Sequence, residues 1–263
     1  MTLALYTVPD AAGLGALGAS FVEVLLRDRP EPVLGLATGS SPVPVYRHLA
    51  TRGLDLSRVR AFALDEYVGL PAGSEQSYAA VIDREVVRPL GLDPGRVAVP
   101  DGGAEDPAQA ADAFERRLEQ SGGVDLQLLG IGHNGHLAFN EPGSPLDSRT
   151  RVERLSETTR RANARFFPSL TEVPRFCITQ GLGTIRRARH LLLLVRGKGK
   201  AGILERALTG PVDADCPASI LQLHPRVTVI ADEAAASGLE GREEILLPAE
   251  WDRTVGEHGP PGG

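Results

Sequence analysis

Lysine is almost absent from this chain: of 28 lysines and arginines, only Lys198 and Lys200 are lysines, and both lie in one short turn. Cysteine is equally scarce. Cys177 and Cys216 are far apart in sequence and show no metal-type spacing, so free thiols are expected and a cysteine-held metal is not. Long apolar runs are lacking too. None approaches the ~18 residues of a membrane span, and the first residues show no basic-then-apolar export signal. Nor is there an excess of positive charge. A net charge of −6 and a pI near 5.6 argue against a nucleic-acid or membrane surface. A cytoplasmic protein without nucleic-acid or membrane partners is the expectation. No repeat and no Pro/Ser-rich linker divides the 263 residues. With 42% hydrophobic and 24% charged residues they can bury one large core.

One stretch organises what is present. The run from Val124 to Ile131 is apolar except at Asp125 and Gln127, which reads as a buried strand. Gly130, Gly132 and Gly135 then interrupt it, so the backbone must turn tightly or pass close to a neighbour. Into that turn the chain places His133, Asn134 and His136, and Glu141 closes it before Pro142. A buried strand ending in glycines and titratable groups is how open α/β sheets present chemistry at their carboxyl edge. The competing interpretation is a glycine-rich turn with solvated polar residues.

Further strands are expected at 3–8, 33–37, 59–64, 96–99, 176–179, 190–195 and 227–231. Helices are expected at 10–28, from 42, at 77–88, 107–119 and 156–167, and from the lysine turn to 208. This alternation predicts an α/β fold of Rossmann-like, doubly wound type: a mainly parallel sheet with helices on both faces. Residues 1–240 are expected to form one domain and 241–263 a flexible tail.

Several strands end in polar groups. After the second comes Thr38-Gly39-Ser40-Ser41-Pro42, a hydroxyl-and-glycine loop opening a helix, which is an anion-binding arrangement. It lacks the Gly-Lys-Ser/Thr ending of a nucleotide loop, so a sugar phosphate suits it better. The third strand runs into Asp65-Glu66, two carboxylates that are costly at such a place unless they bind, cap or catalyse. Another delivers Arg196-Gly197-Lys198-Gly199-Lys200. Ends of parallel strands share one sheet edge, so these segments can converge with 130–141. No cysteine or serine has a nucleophile's context, and no spacing suggests a metal. The set suits proton transfer on a phosphorylated small molecule, as aldose–ketose isomerisation requires.

Here the motifs carry a specific resemblance. Ala37-Thr38-Gly39-Ser40-Ser41-Pro42, Leu64-Asp65-Glu66-Tyr67-Val68-Gly69-Leu70, the run from Gly130 to Pro142 and Ser148-Arg149-Thr150-Arg151 resemble the glucosamine-6-phosphate deaminase family. The stretches Ile178-Thr179-Gln180-Gly181-Leu182-Gly183-Thr184-Ile185 and Leu221-Gln222-Leu223-His224-Pro225 extend the resemblance over residues 30 to 233. It implies conversion of glucosamine 6-phosphate and water into fructose 6-phosphate and ammonia, with no cofactor. The partner is then a small phosphorylated amino sugar. By the same resemblance Asp65 moves the proton between C2 and C1. His136 opens the sugar ring, with Glu141 and Asn134 beside it. Thr38, Gly39, Ser40, Ser41, Arg165 and Lys200 would hold the phosphate, and a mobile lid is implied around 150–187. A homo-oligomer is compatible with the sequence.

Departures from the family pattern matter. Many members have aspartate where this chain has Asn134; an amide oxygen can orient the imidazole but cannot stabilise imidazolium by charge. The pattern is also lost beyond Asp232-Glu233. Some oligomeric members are activated by N-acetylglucosamine 6-phosphate at a second site around the counterpart of 148–153. They carry lysine where this chain has Glu153, and add a C-terminal tyrosine that is missing here. The 6-phosphogluconolactonase family shares the fold but would favour arginine after Asp65-Glu66 and Thr-Ala-Ser after Gly135-His136. A non-catalytic sugar-phosphate sensor would usually add a basic DNA-binding module, and none precedes residue 30.

Overall fold

The computed structural model describes residues 2–239 and 247–248. Strand β1 (Thr2–Val8) leads through α1 (Ala11–Asp28) to β2 (Val33–Leu36) and α2 (Val43–Ala50). Strand β3 (Arg60–Ala63) runs almost directly into β4 (Asp65–Tyr67). A broken helix follows, made of α3 (Tyr78–Ile82), a π-helical segment (Asp83–Val87) and α4 (Arg88–Leu90). Then come β5 (Val97–Ala98), α5 (Pro107–Gln120) and β6 (Leu126–Leu129). After the central turn lie β7 (Arg151–Arg154), α6 (Glu157–Asn163), β8 (Phe176–Thr179) and α7 (Leu182–Ile185). The last elements are β9 (Leu191–Val195), α8 (Ala201–Thr209), β10 (Arg226–Asp232), α9 (Glu233–Ala236) and β11 (Leu247–Pro248). The expected tail, 241–263, lies outside the described residues apart from β11.

Local chemistry explains the boundaries. Asp10 caps α1 by accepting the amides of Ala12 and Gly13, both at 2.9 Å, while Leu14, Leu17, Phe21 and Val22 face the core. The helix stops at Asp28, because Pro30 biases the preceding residue away from helical geometry.

Among the described residues, eight strands form one parallel sheet in the order β11-β1-β10-β9-β6-β2-β3-β5. Its two faces are covered by different helices. Phe62 of β3 meets Phe114 of α5 edge-on at 5.8 Å on one face. On the other, α1 lies over Leu194 and packs so closely against Val45 of α2 that a β-carbon at Gly18 would fall on the Val45 side chain. Leu191 to Leu194 are fully buried; each such side chain stabilises the fold by roughly 1.5–3 kcal/mol. From β2 the chain winds outward through β3 and β5, and from β6 it winds the opposite way through β9 and β10. Neighbouring β2 and β6 therefore mark the topological switch, where open α/β sheets bind ligands beyond the strand ends.

The doubly wound parallel sheet is the one that the alternating pattern predicts. A second sheet, β4-β8-β7, is antiparallel and does not follow from that pattern. Asp65 and Glu66 do not end the third strand; after Leu64 the chain re-pairs with Ile178 and Thr179 as β4. Residues 151–154, for which no element is expected from the sequence, form β7. The helix expected at 156–167 is α6 followed by a 3-10 turn at Ala164–Phe166. The one expected at 77–88 is interrupted by its π-helical segment.

Candidate active site

At the switch point, the loop after β2 and the turn after β6 lie against each other. Ser41 borders Gly130, and Gly39 takes φ +91°, a value that favours glycine. The loop opens α2, so the positive end of that helix's dipole faces it, although Pro42 and Pro44 carry no N–H and the Val45 and Tyr46 amides bond to the Pro42 carbonyl at 2.9 and 3.3 Å. Lys200 reaches over from the turn after β9 and donates to the Ile131 carbonyl at 2.8 Å. It is half-buried, and burial pushes its pKa down, whereas Lys198 is exposed. Arg165 is exposed, and its guanidinium stacks 4.6 Å above the Phe166 ring. Lys200 and Arg165 nonetheless share a neighbour. His133 is pushed down in pKa first by the charge of Lys200, then by burial and by the charge of Arg165.

Asp65 is 5% exposed, and among the described residues no cation is paired with it. Burial, with the Glu66 charge second, pushes its pKa well above the usual carboxylate range. Glu66 has a different task. Its carboxylate accepts the amides of Tyr67 at 2.7 Å, Tyr78 at 2.9 Å and Ala79 at 2.8 Å, closing the start of α3. Two adjacent acids are thus separated by their partners, one satisfied by backbone and one left for a proton.

His136 sits on the central turn. A β-carbon at position 132 would fall on its ring, so Gly132 is what lets the imidazole lie against the backbone. The same turn holds Ala138 at φ +53°, strained for a residue with a side chain. The His136 Nδ1 is 3.9 Å from Glu141 Oε2 and is buried with no hydrogen-bond partner among the described residues. Burial lowers the His136 pKa, the Glu141 charge opposes that, and Lys200 and His133 add to the lowering.

Asn134 departs from its expected part. Its amide oxygen takes the backbone N–H of His136 at 3.3 Å, not the ring, and its amide nitrogen donates to Glu141 Oε2 at 2.7 Å. It therefore orients the carboxylate. Sequence reasoning missed two further holders of Glu141: Oε1 accepts from the Ser156 hydroxyl at 3.0 Å and from the Thr159 hydroxyl. Ser156 is the N-cap of α6, also accepting the Thr159 amide at 3.1 Å, and that cap signature is the only sequence trace of the arrangement. At the other end of α6, Asn163 donates to the Tyr67 hydroxyl at 2.9 Å, and burial pushes the Tyr67 pKa up to about 12.

These groups together present a proton acceptor of raised pKa, a neutral imidazole beside a carboxylate, and cations next to an anion loop. Among the described residues, no cluster of three or more His, Cys, Asp or Glu side chains could hold a metal ion.

The glucosamine-6-phosphate isomerase/6-phosphogluconolactonase family model matches residues 11–230, and the chain belongs to that family. A glucosamine-6-phosphate deaminase of Arthrobacter sp. (strain FB24) is 56% identical over 236 residues, 88% of this chain and 91% of that protein. One of Streptomyces coelicolor is 52% identical over 89% of this chain and 91% of its own. Among solved structures, a monomeric glucosamine-6-phosphate deaminase superposes with a TM-score of 0.86 at 38% identity, covering 90% of this chain and all of its own. The 6-phosphogluconolactonase of Trypanosoma brucei reaches a TM-score of 0.74 at 22% identity, over 90% and 99% of the two chains, and shares the fold. Among the described residues, no helix is long and apolar enough to cross a membrane.

Proposed function

We propose that this protein is a glucosamine-6-phosphate deaminase, converting glucosamine 6-phosphate and water into fructose 6-phosphate and ammonia. The phosphate would rest on the Thr38–Ser41 loop, held by Lys200 and Arg165, which fixes the sugar along the switch crevice. His136, neutral at physiological pH because burial lowers its pKa, would take the proton of the anomeric hydroxyl. It would return a proton to the ring oxygen, opening the ring. Glu141, oriented by Asn134, supports the imidazolium that forms in between. Asp65 then removes the C2 proton and delivers it to C1, turning the amino aldose into a ketose imine. Water adds to C2, and the C–N bond breaks to release ammonia.

The observation that carries this reading is Asp65: a buried carboxylate without a cation partner among the described residues, at the sheet edge that also bears the anion loop. A base with a raised pKa suits proton transfer near neutral pH. The relatives named above support the substrate. We further read residues 1–240 as one domain in which α6 and its flanking turns form the moving part of segment 150–187. Ammonia release from glucosamine 6-phosphate by purified protein, run beside 6-phosphogluconolactone hydrolysis, tests the reading. Lactone hydrolysis without ammonia release would overturn it.

A further inference from the structure

The turn after β9 carries three cations at alternate positions, and the structure treats them differently. Lys198 is exposed, whereas Arg196 and Lys200 are half-buried. Side chains alternate across a strand, and Leu194 lies on the face covered by α1. Arg196, two residues further on, falls to the same side, where the Thr38–Ser41 loop enters α2. Its Nη1 donates to the Ser40 carbonyl at 3.3 Å. Among the described residues, its Nε is buried without a hydrogen-bond partner and no carboxylate pairs with the guanidinium. The acid beside this turn is occupied: Asp232 accepts the Gly197 amide at 2.9 Å and the Ala235 amide at 2.8 Å.

Arg196 and Lys200 therefore flank one junction from two sides. Arg196 meets Ser40, Ser41 borders Gly130, and Lys200 is fixed to Ile131. A guanidinium offers several donors in a rigid fork that matches phosphate oxygens, and a buried donor left without an acceptor is costly. The geometry points to Arg196 as a further phosphate-binding residue, bracing Ser40 with one nitrogen and offering its remaining donors to a phosphate monoester dianion. The assignment rests on the sugar-phosphate function proposed above.

The test is calorimetric binding of inorganic phosphate to intact wild-type, Arg196→Met and Arg196→Lys proteins, with KM and kcat for glucosamine 6-phosphate measured in parallel. Arg196→Met should weaken phosphate binding and raise KM by about tenfold each, as loss of a charge-assisted contact requires. Its kcat should change much less. Arg196→Lys keeps the charge without the fork and should recover part of the loss, which also guards against a variant that merely misfolds. Phosphate affinity and KM within twofold of wild type in Arg196→Met would overturn the assignment. Arg196-dependent phosphate binding by a wild-type protein that releases no ammonia would refute the deaminase reading and leave this one standing.

Discussion

The strands of the large parallel sheet are buried by leucine, valine and isoleucine, whereas β4, β8 and β7 are tied to the rest of the chain by buried polar groups. Glu115 of α5 accepts the Thr150 amide at 3.1 Å, the Thr150 hydroxyl, the Thr184 hydroxyl at 2.9 Å and Arg149 Nε at 2.6 Å. Gln180 donates its backbone N–H to Leu64 at 2.7 Å and its side chain to Ala63 at 2.9 Å. Asn140 reaches from the central turn to the Gln180 carbonyl at 2.8 Å. Apolar burial is non-directional and gives a stiff platform, while hydrogen bonds fix orientation. The candidate site divides along this line. The anion loop and the lysine turn stand on the large sheet, as does the turn that carries Asn134, while two other holders of Glu141, Ser156 and Thr159, come from the segment joining β7 to β8. Asp65 sits where the chain passes from one sheet to the other.

The largest expected effect tests that junction. Asp65→Asn should lower kcat by about a thousandfold or more, the scale of a lost general base, with little change in substrate affinity. It should also stabilise the fold. The folded pKa of Asp65 is raised, so its ionised form opposes folding above that pKa, and the penalty vanishes as the pH falls below the unfolded value. Asparagine is neutral throughout. The variant's Tm should therefore exceed that of wild type at pH 8, and the gap should close toward acid pH. For the same reason the acid limb of the wild-type rate profile should lie above the usual carboxylate range. Near-normal turnover in Asp65→Asn would remove this residue from the chemistry.

Next in size is the large-sheet side. Lys200→Ala should raise KM about thirtyfold, from loss of a charge-assisted contact worth about 2 kcal/mol. Lys198→Ala should change KM less than twofold, since that side chain is exposed. Equal effects would mean that the turn acts as a diffuse positive patch. On the other side, Thr159→Val removes a hydroxyl from Glu141 at nearly constant volume and should lower kcat about tenfold, one hydrogen bond to a charged group. Thr159→Ser should restore most of it. If Thr159→Val matched wild type in kcat, the small-sheet segment would have no part in ring opening.

How far the sequence discloses these two regions follows from their physics. The large sheet is legible because β6, β9 and β10 are apolar runs between turn residues, and the anion loop is legible because glycine and hydroxyls must follow such a strand. Strand β7 reads Arg-Val-Glu-Arg, and β4 begins one residue after β3 ends, so neither shows a strand's hydrophobic pattern. Their pairing depends on Glu115 and Gln180, which are distant in sequence. The anion loop, the turn after β6 and the lysine turn meet at the switch point, but the partners of their side chains could not be foretold. Nothing local decides that Asn134 turns its amide nitrogen to Glu141 and not its oxygen to the imidazole.

The smallest expected effect is none at all, and it concerns Arg151 in β7. The family resemblance links this position to an activating phosphate compound, bound beside a lysine where this chain has Glu153. Here Arg151 is already engaged: Nη2 donates to Glu153 at 2.6 Å and to the Ser144 hydroxyl at 3.2 Å, and Nη1 donates to Asn140 at 2.9 Å. An incoming phosphate would have to displace Glu153 or sit beside it. Two like charges about 4 Å apart repel by roughly 4 kcal/mol at an effective dielectric of 20, and an allosteric coupling is usually only about 1–3 kcal/mol. Rate curves against glucosamine 6-phosphate should therefore be hyperbolic and should not change when N-acetylglucosamine 6-phosphate is added. Replacing Glu153 by lysine sharpens the test, because it removes the internal partner and supplies the missing cation. If the wild-type curve were sigmoidal and became hyperbolic with the effector, Arg151 would have to exchange Glu153 for phosphate, and β7 would be a switch and not a tie.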